Sequence, residues 1–127
     1  MGVYKRRYGK VSGFTLVEIM AVIAIITILM SIAIPQFIQY RQKGYNAEAK
    51  SDARNFYSCA SAYATLNESV VFDRSNLPDA YTGRTMVGGK YTFDAGTRMV
   101  TCDATFRHDE GTITYVVDDN GNITEYQ

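Results

Sequence analysis

The feature that most constrains this chain is an apolar run of 21 residues, from Phe14 to Ile34, which contains a single charged residue, Glu18. As a helix the run would be about 31 Å long, enough to cross the hydrocarbon core of a bilayer. The segment before it carries four basic residues, Lys5, Arg6, Arg7 and Lys10. Because basic flanks stay on the cytoplasmic side, the sequence predicts a membrane helix whose C-terminal side is exported.

Two details distinguish this run from a secretory signal. A small residue, Gly13, precedes the apolar run, whereas a secretory signal has its cleavage site after it. The second detail is Glu18, because a carboxylate in hydrocarbon costs roughly 2.5–3.5 kcal/mol on insertion scales. Either Glu18 reaches the interface, or it pairs with a cation. Cleavage after Gly13 would supply one, the α-amino group of Phe14, one helical turn away in the same subunit or on a neighbouring subunit.

The residues from Lys10 to Glu18, KVSGFTLVE, resemble the processing site of type IV pilins and of the related pseudopilins of secretion systems. The stretch IAIPQF, which includes Pro35, and the stretch YRQKGYNA from Tyr40 to Ala47 are also similar to that family. The resemblance covers about the first 55 residues. It identifies the chain as a structural subunit of a type IV pilus, and the alternative is a pseudopilin of a type II secretion system.

The resemblance implies that a prepilin peptidase cleaves between Gly13 and Phe14 and that the amine of Phe14 is methylated. It also implies assembly of a homopolymer through the apolar helix, with Phe14, Glu18 and Pro35 as assembly residues and with inner-membrane assembly machinery as a partner. The precursor and mature monomer would lie in the inner membrane with a periplasmic C-terminal domain, and the filament would be extracellular. The resemblance leaves adhesion, twitching motility, DNA uptake and secretion open as roles of the filament.

The charge balance gives no indication of a nucleic-acid partner. The whole chain is formally neutral, but without residues 1–13 it has nine basic and thirteen acidic residues, a net charge of −4. A mildly acidic domain has no net attraction for nucleic acid. The single histidine, His108, falls in a predicted turn, and no catalytic constellation or cofactor motif is evident, so we expect no enzyme activity and no cofactor.

The pattern predicts an α+β fold in which a long N-terminal helix packs against a small antiparallel sheet of three or four strands, and the resemblance implies that this is the pilin fold. The predicted segments are a cleaved leader (1–13), a transmembrane and polymerisation helix (14–35), its amphipathic continuation (36–66), a connecting loop (67–89) and the sheet (90–127). The last segment and 36–66 form one globular domain. Pro35 should kink or loosen the helix without ending it, because the helical pattern resumes at once.

The amphipathic face of the helix is the predicted partner of the sheet. Its apolar residues recur at steps of three and four and are Ala49, Ala53, Phe56, Ala60 and Tyr63. Alternating residues predict strands around Tyr91–Phe93, Val100–Phe106, Ile113–Val117 and Ile123–Tyr126, with a further short strand at Val70–Phe72. Turns are expected at 94–96, 108–111 and 118–121, and the Asn120-Gly121 pair is a tight-hairpin signal.

Two cysteines, Cys59 and Cys102, fall in the predicted exported domain. An even number of cysteines in an oxidising compartment favours a disulfide over two buried thiols. Cys59 lies on the apolar helix face and Cys102 on the apolar strand face. We therefore expect a Cys59–Cys102 bridge.

An oxygen-rich cluster near the end of the chain is a weak candidate for a Ca²⁺ site. It consists of Asp118, Asp119, Asn120 and Asn122. A hairpin turn explains the same residues and is the preferred interpretation. Because major pseudopilins of type II secretion carry a Ca²⁺ loop in this part of the chain, the weakness of the cluster favours a pilin.

Overall fold

The computed structural model describes Gly9, residues 13–66 and residues 68–127. One helix precedes seven strands: α1 (Leu16–Ala64), β1 (Val70–Asp73), β2 (Met86–Gly88), β3 (Lys90–Asp94), β4 (Met99–Cys102), β5 (Thr105–Phe106), β6 (Thr114–Val117) and β7 (Ile123–Tyr126). The chain divides into two compact units, one up to Phe37 and one from Ile38 onward. The four basic residues of the predicted leader lie outside the described residues.

The first unit carries the apolar part of α1, whose most apolar window has none of its residues buried. The helix is long and apolar enough to cross a membrane, and it continues through Pro35. The two hydroxyl side chains in this apolar part donate hydrogen bonds to the helix backbone, Thr27 to the carbonyl of Ile23 and Ser31 to that of Ile28, both at 2.7 Å. The polar groups of these two side chains therefore need no partner from lipid.

In the second unit, α1 buries one stripe of side chains against the strands. Ala49, Ala53, Phe56 and Ala60 are completely buried, as the spacing predicts. The small alanines allow the strands to approach closely, and Phe56 fills the space between two rings. Its centroid lies 5.6 Å from that of Tyr81 and 5.4 Å from that of Phe106. The predicted fold class is confirmed.

The strands form two antiparallel sheets, whereas the sequence predicts one meander. The orders are β1-β3-β4 and β2-β5-β6-β7. The predicted strand from Val100 to Phe106 is divided, because the chain changes sheet at Asp103. The carboxylate of Asp103 accepts a hydrogen bond from the N–H of Lys90 at 2.7 Å, and this contact interrupts the alternation.

A glycine makes the corresponding change of sheet between β2 and β3. Gly89 has a φ of 74°, and a Cβ on it would lie 2.1 Å from the carbonyl oxygen of Asp103. Only glycine fits this conformation and this close approach. The two changes of sheet thus lie side by side. The chain crosses from one sheet to the other between β2 and β3, and it crosses back between β4 and β5.

The predicted connecting loop, 67–89, contains two of the seven strands. Val70–Asp73 matches the short strand that was expected there, but β2 was not predicted. Only three residues long, β2 lies among turn residues and shows no alternation that a sequence pattern could reveal. The segment therefore contains one strand beyond the one that was expected within it.

The predicted turns at 94–96 and 118–121 connect β3 to β4 and β6 to β7. The second turn differs from a two-residue Asn-Gly hairpin. Gly121 has a φ of 81°, whereas Asn120 keeps a negative φ. The N–H of Asp118 donates to the carbonyl of Asn122 at 3.0 Å, which closes a three-residue loop.

The predicted disulfide is absent, because Cys59 and Cys102 are both free thiols. Cys102 pairs with Tyr91 in the sheet, and the ring of Tyr91 lies 5.8 Å from that of Tyr57. At about 100° of rotation per residue, Tyr57 and Cys59 lie about 160° apart around the helix, on opposite flanks of the buried stripe. Cys102 therefore faces the flank of Tyr57 and not that of Cys59.

Several polar side chains of α1 attach loops to the helix, among them Asn46, Asp52, Tyr57 and Tyr63. Asp52 makes three of these contacts. One of its carboxylate oxygens accepts hydrogen bonds from the N–H of Arg84 (2.9 Å) and from the N–H (3.1 Å) and hydroxyl (2.8 Å) of Thr85. Because Thr85 is buried, its N–H and its hydroxyl have no access to water in place of Asp52.

We expect Asp52→Ala to lower the free energy of unfolding by about 2–3 kcal/mol, since it leaves buried donors without an acceptor. Asp52→Asn, which keeps one oxygen, should cost less. Urea unfolding of the full chain in mild detergent, followed by tyrosine near-UV circular dichroism, measures the change. Ser51→Ala, at an exposed neighbouring position, is the control. Equal stability of Asp52→Ala and this control would contradict the role of Asp52.

The two thiols should differ in reactivity. Burial raises the pKa of Cys102 to about 11, so little of it is thiolate near neutral pH. At pH 8 iodoacetamide should modify the half-buried Cys59 well before Cys102, and alkylation of Cys102 should accelerate as the pH rises towards 11. In urea both should react at similar rates. An intact mass lacking two hydrogen atoms, with no alkylation in urea unless a reductant is added, would instead show a disulfide.

Candidate functional site

The candidate site is the segment from Gly13 to Glu18, where the chain enters the helix. Gly13, Phe14 and Thr15 precede α1 and are exposed, with 83% of Phe14 accessible. Among the described residues other than Gly13 and its chain neighbours, no atom lies within 4 Å of where a Cβ of Gly13 would be. The Gly13–Phe14 peptide bond is therefore outside regular structure and open to an approaching protein.

Thr15 and Glu18 form a reciprocal cap at the start of α1. The N–H and the hydroxyl of Thr15 donate to one oxygen of the Glu18 carboxylate at 2.8 and 2.9 Å. In return, the N–H of Glu18 donates to the Thr15 hydroxyl oxygen at 3.2 Å. This arrangement is a capping box, which satisfies backbone donors that the first helical turn leaves unpaired.

The capping box gives Glu18 a function that its charge alone does not reveal. A carboxylate in the first turn also interacts favourably with the positive end of the helix dipole. The sequence predictions above do not include Thr15, although Thr-x-x-Glu directly before an apolar run is the pattern of such a cap. Only one carboxylate oxygen of Glu18 is engaged by described residues, so the other remains available to a cation.

The remaining predicted site residues lie apart from this segment. Pro35 is inside α1 and exposed. The carboxylate of Asp118 accepts hydrogen bonds from the N–H of Asn120 (2.9 Å), and from the N–H (2.8 Å) and the side-chain amide (3.0 Å) of Asn122. The Asn122 amide is the main cause that holds the pKa of Asp118 below its usual range.

Asp119 also serves the backbone, since its carboxylate accepts a hydrogen bond from the N–H of Cys102. The oxygens of the cluster thus stabilise the β6–β7 turn. Among the residues that the structure describes, no group of three metal-ligating side chains comes together. The arrangement is that of the hairpin turn that the sequence favours.

Comparison with known proteins finds a family motif at this segment. Residues 9–34 match the family model of the prokaryotic N-terminal methylation motif. The chain is 38% identical to the type IV major fimbrial protein FimA of Dichelobacter nodosus over 116 residues, which cover 87% of this chain and 67% of FimA. The chain belongs to the type IV pilin family.

A second relative matches over a shorter stretch. The chain is 43% identical to the type IV major pilin protein PilA of Myxococcus xanthus (strain DK1622) over 51 residues, or 40% of this chain. That match spans only 23% of PilA. No solved structure matches the chain.

Replacement of Thr15 by Val removes the capping hydroxyl at nearly constant volume. Loss of an N-cap costs about 1 kcal/mol, so hydrogen exchange at the N–H of Glu18 should accelerate roughly fivefold. NMR of the full chain in micelles measures this rate. Thr15→Ser should preserve the protection, and Thr27→Val, which removes a hydroxyl away from the cap, should leave it unchanged. Equal exchange rates in Thr15→Val and the wild type would contradict the capping box.

Proposed function

We propose that this pilin is made as a precursor that a prepilin peptidase cleaves between Gly13 and Phe14, after which the new amine of Phe14 is methylated. The accessibility of that peptide bond supports the proposal, because a peptidase needs an extended and exposed substrate. The match to the methylation motif, which begins before Gly13, supports it as well. Cleavage leaves a cationic amine four residues before Glu18.

We further propose that the mature subunit polymerises through the first part of α1 into an extracellular filament. The observation that carries this proposal is an apolar helix segment that has no buried residue in its most apolar window and a single carboxylate at its start. In the monomer the membrane covers this surface. In a filament the helices of other copies cover it, and a charged amine brought into that dry interior needs a partner.

Glu18 is the proposed partner of that amine. Its carboxylate oxygen outside the capping box is available to the amine of Phe14 on the next subunit, and this pair sets the axial register between subunits. Pro35 leaves one backbone carbonyl of the helix without its usual donor, which allows local adjustment during packing. Before assembly the subunit lies in the inner membrane with its C-terminal domain in the periplasm, where inner-membrane machinery extracts it.

A pseudopilin of a type II secretion system is the alternative. Two relatives named as major pilin and fimbrial proteins favour the pilus subunit. The carboxylate of Asp118 is hydrogen-bonded within the β6–β7 turn, which is also consistent with a pilus subunit. The proposed role is therefore structural.

Coexpression with a prepilin peptidase tests the processing step. We expect the intact mass of the product to begin at Phe14, with the additional mass of one methyl group. A product that retains residues 5–7 would refute cleavage at this bond. Gly13→Val, which places a branched side chain at the open position, should leave the precursor uncut while membrane insertion is preserved.

The assembly step is tested by Glu18→Ala. A monomer in the bilayer should tolerate the loss of a costly charge, so membrane abundance should be unchanged. The yield of sheared filaments should fall sharply, because the Phe14 amine loses its partner. Glu18→Asp should retain more assembly, and Glu68→Ala, at an exposed position without an ion pair to described residues, should be neutral. Normal filament yield from Glu18→Ala would refute the intersubunit pair.

A further inference from the structure

A small polar pocket lies where the second unit begins, directly after the membrane-length helix segment. Its volume is about 270 Å³, and its lining residues are Ile38, Arg41, Gln42, Tyr45 and Glu110. Four of these belong to two turns of α1, and Glu110 comes from the loop between β5 and β6. No part of the proposed cleavage or assembly mechanism uses this pocket.

An ion pair forms the centre of the pocket. The guanidinium of Arg41 donates to the hydroxyl oxygen of Tyr45 at 2.6 Å and to the carboxylate of Glu110 at 2.9 Å. It also lies 5.5 Å from the centroid of the Tyr45 ring. Tyr45 is the main cause that raises the pKa of Arg41 and lowers that of Glu110, so both groups are charged at neutral pH.

The other walls hold these groups in place. The ring of Tyr45 stacks on that of His108, with centroids 4.3 Å apart and planes 13° apart. Nδ1 of His108 accepts a hydrogen bond from the N–H of Glu110 at 3.1 Å. At Gly111 a Cβ would lie 2.9 Å from the amide oxygen of Asn46, so glycine permits the loop to reach the helix. These contacts fix the backbone of the loop, and the loop in turn places the Glu110 side chain beside Arg41.

The pocket presents a guanidinium and a carboxylate close together, and these two charges complement those of a zwitterionic ligand. A guanidinium binds phosphate oxygens in a fixed planar geometry, and a carboxylate accepts hydrogen bonds from an ammonium group. The two charged side chains are 49% and 59% exposed, and ion pairs this accessible contribute little net stability. A ligand with one phosphate and one ammonium group can replace their mutual contact at small cost.

The position in the chain indicates where such a ligand would come from. A bilayer helix ends where apolar side chains give way to aromatic and basic ones. Phe37 and Ile38 are exposed apolar residues, and Tyr40 follows with the Lys43 ammonium 5.6 Å from its ring centroid. Arg41 is only about 5 Å along the helix from Ile38, within the depth of a headgroup layer.

We propose that this pocket binds the phosphoethanolamine headgroup of a membrane phospholipid, with the phosphate on Arg41 and the ammonium on Glu110. The inference depends on the proposed residence of the subunit in the membrane before assembly. Bound in this way, the headgroup fixes the depth and rotation of the second unit at the surface. The phospholipid is released when the subunit leaves the bilayer.

Native mass spectrometry of the full chain in detergent, with lipids of identical acyl chains added, tests the proposal. Phosphatidylethanolamine should be retained more than phosphatidylcholine, whose methylated ammonium cannot donate hydrogen bonds to Glu110. It should also be retained more than phosphatidylglycerol, which has no ammonium. Arg41→Gln should weaken retention of phosphatidylethanolamine roughly tenfold, as expected for loss of a charged hydrogen-bonding partner.

Glu110→Gln should remove the preference for ethanolamine over glycerol while phosphate binding persists. Lys43→Gln removes the same charge from the same helix without lining the pocket, so it should retain the preference. Equal retention of the three lipids by the wild type, or an equal loss in Arg41→Gln and Lys43→Gln, would overturn the proposal. Displacement of the lipid by inorganic phosphate alone would also overturn it, since the site would then be for free phosphate.

The failure of this inference and the failure of the proposed function are distinguishable. Membrane fractionation of the same variants reports insertion independently of headgroup preference. An inserted protein that assembles filaments but binds all lipids alike would refute only the headgroup site. A protein absent from the membrane fraction would refute the proposed function itself.

Discussion

The structure depends on the burial of one helical stripe, Ala49, Ala53, Phe56 and Ala60, against strands that cannot form a core by themselves. Each sheet is small, and three residues of the stripe are alanine, so most of the buried volume comes from aromatic rings on the strands and from Phe56. The same helix has no buried residue in its apolar window. One helix therefore serves two environments. The spacing of its apolar side chains changes from one environment to the other.

The sequence predicted the helix and its buried face well, because spacings of three and four over many residues are a strong signal. It also predicted the turn at Asp118 and the strands that follow a clear alternation. It did not predict that the strand around Cys102 would change sheet at Asp103. That change depends on a carboxylate meeting the N–H of Lys90 and on Gly89 fitting against its carbonyl, and neither contact follows from a local pattern.

The failed disulfide has a similar cause. Cys59 was assigned to the apolar face on spacing alone, but a helix face has two flanks, and the partner strand lies nearer to that of Tyr57. The capping box was missed for a different reason. Thr15 and Glu18 carry a recognisable local pattern, but a carboxylate that is costly in a membrane segment also fits a cationic partner, so the pattern alone does not select the cap.

The contacts between the helix and later parts of the chain have a consequence for the order of folding. Asn46 binds a residue 66 positions later, and Lys50 pairs with Glu125, 75 positions later. Contacts so distant along the chain require the closure of long loops before they contribute stability, which slows folding. The helix is synthesised first, so its stripe stays uncovered until the strands that protect it have been made.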